Sequence, residues 1–218
     1  MLKLLSFPGL RQIKPISLAR FNLLLATWLG LVLNFAFYQK IHQLTPYTNL
    51  KAGALLAATV LVIISLYNLV LQWLNWKWNA KILASVLIIL GGFSAYFVNS
   101  LGVVITPDQI QNMLQTDARE VRDLWSVRLL IWTLVFVVFP LCIVWMLKIQ
   151  PASFGRQLWH KSLSSLLSAG LILGLLFCFY VDYAAIFREH RDLKGMLSPQ
   201  NAIASGLSYY KKKAPKQN

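Results

Sequence analysis

The sequence predicts an all-α membrane protein, with five transmembrane helices and an amphipathic helix between the third and fourth. Three observations carry that prediction. Hydrophobic residues make up 57% of the 218-residue chain and charged residues only 13%, against about 25% charged in ordinary soluble domains. Five apolar runs approach the roughly 20 residues needed to cross about 30 Å of hydrocarbon. One polar stretch, residues 106–125, interrupts them with helical patterning.

The first run, 21–38, follows a basic segment holding Lys3, Arg11, Lys14 and Arg20. It is too long for a signal-peptide core, and no small-x-small cleavage site follows it, so an uncleaved anchor is expected. The second and third runs are 52–73 and 82–98. Gly91-Gly92 in the third would weaken a helix in water, but in a bilayer such a pair marks close helix contact. The fourth and fifth runs are 127–147 and 162–181. Tyr38, Trp73, Trp76, Trp78, Trp125 and Tyr180 fall near predicted ends, where interfacial aromatic belts sit. Residues 1–198 thus read as one membrane domain, and 199–218 as a basic linker.

Charge sets an orientation. With the N-terminus inside, the cytoplasmic segments hold nine cations (Lys3, Arg11, Lys14, Arg20, Lys77, Lys81, Lys148, Arg156, Lys161) and no acid. All seven acids (Asp108, Asp117, Glu120, Asp123, Asp182, Glu189, Asp192) fall outside. The positive-inside rule then predicts a cytoplasmic N-terminus and, with five crossings, an external C-terminus. Against it stand the tail cations Arg188, Arg191, Lys194, Lys211, Lys212, Lys213 and Lys216, although long terminal segments translocate despite charge. The net charge of +14 does not predict nucleic-acid binding, because topology accounts for nine of the cations. Basic residues beside a membrane are drawn to anionic lipid at about 1 kcal/mol each.

Several chemistries are not expected. Cys142 and Cys178 lie inside predicted spans and read as inert packing residues. His42, His160 and His190 occupy three different connections, without the spacing of a zinc site. Phosphate loops, nucleophile elbows and paired intramembrane carboxylates are missing. The spans offer no mid-membrane ionisable group, with Asn34 and Asn68 the polar candidates near their ends, which argues against an ion-coupled transporter.

The polar stretch carries a helix-start signal: Thr106 can cap, Pro107 suits the first helical position, and Gln109 follows Thr106 by three residues. The spacing predicts a helix over 107–125. Ile110, Met113, Leu114, Val121, Leu124 and Trp125 make an apolar stripe expected to lie on the bundle or the membrane surface. Asn112, Thr116 and Glu120 advance about 40° per four-residue step, so they share a face roughly opposite that stripe. Any interfacial helix has a polar face, and periodicity alone gives these three residues no further role. Equally, a carboxylate beside an amide and a hydroxyl suits an ammonium headgroup. Asp117 falls within the apolar stripe, where either a pairing with Arg128 or another cation, or an irregular helix, would accommodate it.

Two stretches resemble a known family. Gly102-Val-Val-Ile-Thr-Pro-Asp-Gln-Ile-Gln-Asn-Met-Leu-Gln-Thr-Asp-Ala-Arg-Glu120 resembles the signature ahead of the fourth span in the lipid A phosphoethanolamine transferases, which include the mobile colistin-resistance enzymes. Tyr180-Val-Asp-Tyr-Ala-Ala-Ile-Phe-Arg-Glu-His-Arg-Asp-Leu193, continuing to Ser198-Pro199, is similar to that family's exit from its fifth span. The resemblance implies a Gram-negative inner-membrane enzyme that moves phosphoethanolamine from phosphatidylethanolamine onto lipid A and so weakens polymyxin binding. It further implies that Asn112, Thr116 and Glu120 hold the ethanolamine headgroup. The family's catalytic threonine and zinc belong to a periplasmic domain not expected in these residues, so the chain alone is expected to be inactive. Asp182, Tyr183 and Arg188 are expected to fix a helix end rather than touch substrate. The alternative reading is a non-enzymatic five-span scaffold or assembly factor that docks a partner through Ile110, Met113 and Leu114.

Overall fold

The structure, a computed structural model, describes residues 14–115 and 126–213. Helix α1 (Leu18–Thr27) starts at Ser17, whose hydroxyl accepts the Arg20 N–H, and continues through one wide π-helical turn, Trp28–Val32. Helix α2 (Phe35–Leu44) then leaves at 55°. The sequence expectation of one run over 21–38 is corrected here, because the span is broken. Backbone groups freed at a break inside hydrocarbon must find partners within the protein, and two asparagines supply them. Asn99 accepts the Ala36 N–H at 2.8 Å and donates to Leu33 O at 3.3 Å. Asn34 donates to Leu29 O at 2.7 Å, and the Tyr38 hydroxyl donates to Gly30 O at 2.6 Å. Tyr38 is therefore buried at the bend instead of standing in an interfacial belt.

Helices α3 (Asn49–Leu74) and α4 (Ala80–Leu101) follow as long apolar rods. Gly102, at φ 66°, closes α4 in the left-handed conformation that glycine adopts without penalty. Beyond the short helix α5 (Pro107–Gln115), α6 (Val127–Thr133) passes through a second π-helical stretch, Leu134–Val138, into α7 (Phe139–Met146). Pro140 sits in the first turn of α7, directly after the π-helical stretch. Helix α8 (Phe154–Cys178) comes next, then α9 (Tyr180–Glu189), a tight 3₁₀ stretch Arg191–Met196, and α10 (Gln200–Lys213). Four of these helical segments are long and apolar enough to cross a membrane: α3, α4, α6–α7 and α8. The bent α1–α2 pair supplies the fifth when taken as one broken span.

Two apolar clusters fill the bundle. One joins α1, the second half of α3, α4 and α7 through Phe21, Leu25, Leu29, Leu71, Ile88 and Val144. The other joins α2, the first half of α3, α9 and the 3₁₀ stretch through Phe37, Ile41, Leu55, Ile186, Leu193 and Leu197. Tyr67 packs against both. The glycine pair makes the close contacts expected of it: a Cβ on Gly92 would come 2.5 Å from Val137 Cγ2, and one on Gly91 2.9 Å from Leu33 Cδ1. Cys142 and Cys178 are free thiols on the exposed surface of lightly packed helices rather than interior packing residues.

Residues 200–213, expected as linker, form α10. Its entry is buried: Ser198 and Asn201 are almost inaccessible, and the Ser198–Pro199 bond is cis. Among the described residues the one extended pairing is an isolated parallel bridge, in which Ile16 N–H donates to Lys148 O at 2.9 Å and Gln150 N–H to Ile16 O at 2.8 Å.

Candidate functional site at the α5 end of the bundle

Helix α5 begins where its capping residues predict. Thr106 Oγ1 accepts the Gln109 N–H at 3.2 Å, Thr106 O accepts the Ile110 N–H at 3.0 Å, and Pro107 is the first helical residue. The cap satisfies donors that the first turn leaves open. Asn112 is exposed on this helix. Thr116 and Glu120, its predicted companions, lie outside the described residues, as do Asp117 and Trp125. Arg128, one suggested partner of Asp117, donates to Ser100 O at 3.4 Å.

The neighbour of α5 is α10. An Asp108–Lys212 ion pair at 3.7 Å links them, with both side chains well exposed, so solvent screening leaves it little energy. A cavity of about 260 Å³ opens between the helices, lined by Gln111, Gln115, Tyr209 and Lys212. On this edge Gln111 is half-buried, and Asp108 and Gln115 are exposed. On the predicted apolar stripe Ile110 is half-buried, whereas Met113 is 44% exposed.

A second cleft of about 330 Å³ lies at the foot of α5, lined in part by Thr106, Pro107, Arg191, Lys194 and Ser205. Two hydrogen bonds at Ile105 close its floor. Ile105 N–H donates to Gly195 O at 3.0 Å and Ser205 Oγ to Ile105 O at 3.1 Å. A Cβ on Gly195 would collide with Val104, so glycine alone permits this approach.

Beneath the clefts lies a polar hub that sequence reasoning found only through Asn34. Asn34 Oδ1 accepts the Ser198 N–H at 2.7 Å while its Nδ2 donates to Ser198 O at 2.9 Å. The Tyr67 hydroxyl also donates to Ser198 O, at 2.9 Å. Ser94 Oγ donates to Asn201 Oδ1 at 2.7 Å and lies 2.6 Å from Ser198 Oγ. This network keys the start of α10 between α1, α3 and α4.

The exit motif braces α9. Tyr47 donates to Asp182 at 2.6 Å, and the Tyr183 hydroxyl lies 3.1 Å from Thr59 Oγ1. Burial pushes the Tyr183 phenol above its ordinary range; the Thr59 hydrogen bond opposes the shift, and the Asp182 charge adds to it. Arg188 is exposed.

At the opposite end of α3 lies a second buried polar group that the sequence reading largely missed. Asn22 donates to Gln72 Oε1 at 3.0 Å, Asn75 to Asn22 Oδ1 at 2.7 Å, and Asn68 to Ser168 Oγ at 2.8 Å. Lys161 is 2% exposed, with its ammonium 3.5 Å from the Trp76 ring centroid and no hydrogen-bond partner. A 3.6-residue periodicity count applied to the polar residues of α3 would have put Asn68, Gln72 and Asn75 on one face.

The family model for "Phosphoethanolamine transferase EptA/EptB" matches residues 63–214. The chain belongs to this family. It is 32% identical over 198 residues to the phosphoethanolamine transferase EptA of Escherichia coli (strain K12), a match that covers 89% of this chain and 36% of that protein. It is 27% identical over 196 residues to the Escherichia coli phosphatidylethanolamine transferase Mcr-1, covering 88% and 36%. The solved structure of the Neisseria meningitidis lipooligosaccharide phosphoethanolamine transferase A shares the fold, with a TM-score of 0.84 at 23% identity over 91% of this chain and 37% of that one. The chain therefore spans about a third of these relatives and corresponds to the N-terminal membrane domain of the EptA/EptB family. The family segment runs from within α3 to the end of α10 and includes Asn112, Thr116 and Glu120.

Proposed function

We propose that this chain is the donor-handling membrane domain of an enzyme that transfers phosphoethanolamine from phosphatidylethanolamine to lipid A in a Gram-negative inner membrane. Adding that group lowers the negative charge of lipid A and with it polymyxin binding. The observation that carries this reading is the family match across α5 together with the capped start of that helix and the exposure of Asn112 on it. On this reading Asn112, Thr116 and Glu120 present an amide, a hydroxyl and a carboxylate to the ethanolamine ammonium, which needs a counter-charge and oxygen acceptors together. The α5 end faces the periplasm and the N-terminus the cytoplasm. Threonine and zinc chemistry belongs to a periplasmic catalytic domain of the full-length enzyme, and these spans anchor it and hold the lipid.

The test is Glu120→Ala in the full-length enzyme. Loss of one charge-assisted contact is worth about 1.5–3 kcal/mol, so transfer falls roughly 10- to 100-fold. Membrane insertion should be unchanged. Equal transfer by variant and wild type at matched membrane abundance would refute the assignment. In nanodiscs, selectivity for phosphatidylethanolamine over phosphatidylglycerol should disappear in the same variant.

A further inference from the structure

The bundle end opposite α5 carries cations without acids. Among the described residues it holds Lys14, Arg20, Lys77, Lys81, Lys148, Arg156 and Lys161, and its connections contain no Asp or Glu. The one ion pair among the described residues, Asp108–Lys212, lies at the other end. The cations here are therefore not neutralised from within the protein.

The parallel bridge between Ile16 and Ile149 gathers part of this charge. By tying residues 14–17 to residues 148–150, it brings Lys14 and Lys148 to one edge, next to the first turns of α1 and α8. Between those turns lies a cavity of about 50 Å³, lined in part by Ser17, Gln150, Arg156, Gln157 and His160. That is several times the roughly 10–15 Å³ that one water requires, so the space suits a single compact polar group rather than a whole headgroup. Its wall offers a guanidinium, an imidazole, two amides and a hydroxyl, the donor set that phosphate oxygens attract.

Depth identifies the source of the phosphate. Trp78, Trp145, Phe154 and Trp159 are 80%, 60%, 68% and 68% exposed around the same end, and exposed aromatic residues of this kind sit at the headgroup level of a bilayer. The cavity opens within that belt, where the phosphates belong to lipids. Basic pockets between transmembrane helices are the usual seats of anionic headgroups.

We propose that the cleft between the starts of α1 and α8 binds the phosphate of an anionic bilayer phospholipid through Arg156 and His160, with Lys14 and Lys148 on its rim. This site is separate from α5 and stands whether or not α5 handles ethanolamine. Its occupant bridges two chain segments that the Ile16–Ile149 bridge already joins by two backbone hydrogen bonds.

The test is lipid retention by the purified chain in native mass spectrometry, with phosphatidylglycerol, phosphatidylcholine and inorganic phosphate as probes. Phosphatidylglycerol should be retained at least tenfold over phosphatidylcholine. At about 1 kcal/mol for each basic residue near anionic lipid, the double variant Arg156→Gln, His160→Gln should weaken this roughly five- to thirtyfold. A Lys211→Gln, Lys212→Gln control at the other end should retain phosphatidylglycerol as wild type does. Undiminished retention by the first variant, or equal loss in the control, overturns the proposal. Competition by inorganic phosphate at equal molarity would make this a free-anion site and overturn the lipid assignment. A wild-type arm covers poor folding of the variant: phosphatidylglycerol should slow amide exchange across residues 152–160 relative to phosphatidylcholine, and no slowing refutes the site.

Discussion

Replacing Asn34 with leucine tests whether the polar hub holds α10 in place. The substitution keeps the branched four-heavy-atom skeleton but removes the donor to Leu29 O (2.7 Å) and Ser198 O (2.9 Å) and the acceptor of the Ser198 N–H (2.7 Å). Ser198 O keeps the Tyr67 hydroxyl and Gly30 O keeps that of Tyr38. The Ser198 N–H, on a residue with no exposed surface, is left without a partner. An orphaned buried donor costs about 1–3 kcal/mol, and each lost intramembrane hydrogen bond about 0.6 kcal/mol. The sum of about 2–4 kcal/mol should raise the undocked population of α10 roughly 30- to 1,000-fold. Hydrogen exchange of α10 amides in nanodiscs reads that population directly. Asn99→Leu is the companion, because it strips partners from the α1–α2 break while touching nothing at Ser198. It should destabilise the bend and leave α10 protected. If α10 exchanges equally slowly in wild type and Asn34→Leu, docking does not depend on the hub and the reasoning fails.

Two other outcomes follow from packing and titration. Gly92→Ala places a methyl 2.5 Å from Val137 Cγ2 and should cost about 1–3 kcal/mol by overpacking, whereas Gly170→Ala meets nothing within 4 Å and should gain about 0.5–1 kcal/mol of helix propensity. Unfolding in detergent compares the two, and equal stability would contradict the contact between α4 and the π-helical stretch Leu134–Val138. Tyr183, its phenol pushed up by burial, binds its proton more tightly folded than unfolded. Its contribution is fully present below the ordinary value of about 10 and is lost as pH rises through the higher native value. Tyr183→Phe should flatten part of the alkaline loss of stability, and an unchanged slope in melting temperature between pH 9 and 11 (roughly the window around that ordinary value) would show that the phenol titrates freely.

Apolar length and helix-start chemistry made most of the fold legible. The capping residues Thr106 and Gln109 located the start of α5 to the residue, and Gly91-Gly92 announced a close approach, because both signals are local. The bend at Asn34 was not legible, since its stability depends on Asn99, which is 65 positions away by numbering. Nor was the burial of Ser198 and Asn201, which read as linker until Ser94 and Asn34 were beside them. Lys161 looked like a topology marker and proved to be buried against Trp76, a placement that requires the helix packing to be known. Of the three residues proposed to hold the headgroup, Asn112 is exposed on α5, and Thr116 and Glu120 lie outside the described residues.

The two apolar clusters on either side of the bend have a mechanical consequence. A straight span carries one continuous hydrogen-bond ladder and transmits strain from leaflet to leaflet. Here that ladder is interrupted between α1 and α2, and apart from the shared α3 each half is braced by different neighbours, α1 by α4 and α7, α2 by α9 and the 3₁₀ stretch. Loosening in one leaflet need not melt the other, as expected of separate cooperative units. Tyr67 touches both clusters and donates to Ser198. That side chain and the peptide it holds form a hinge pin, through which the two leaflet layers and α10 feel one another.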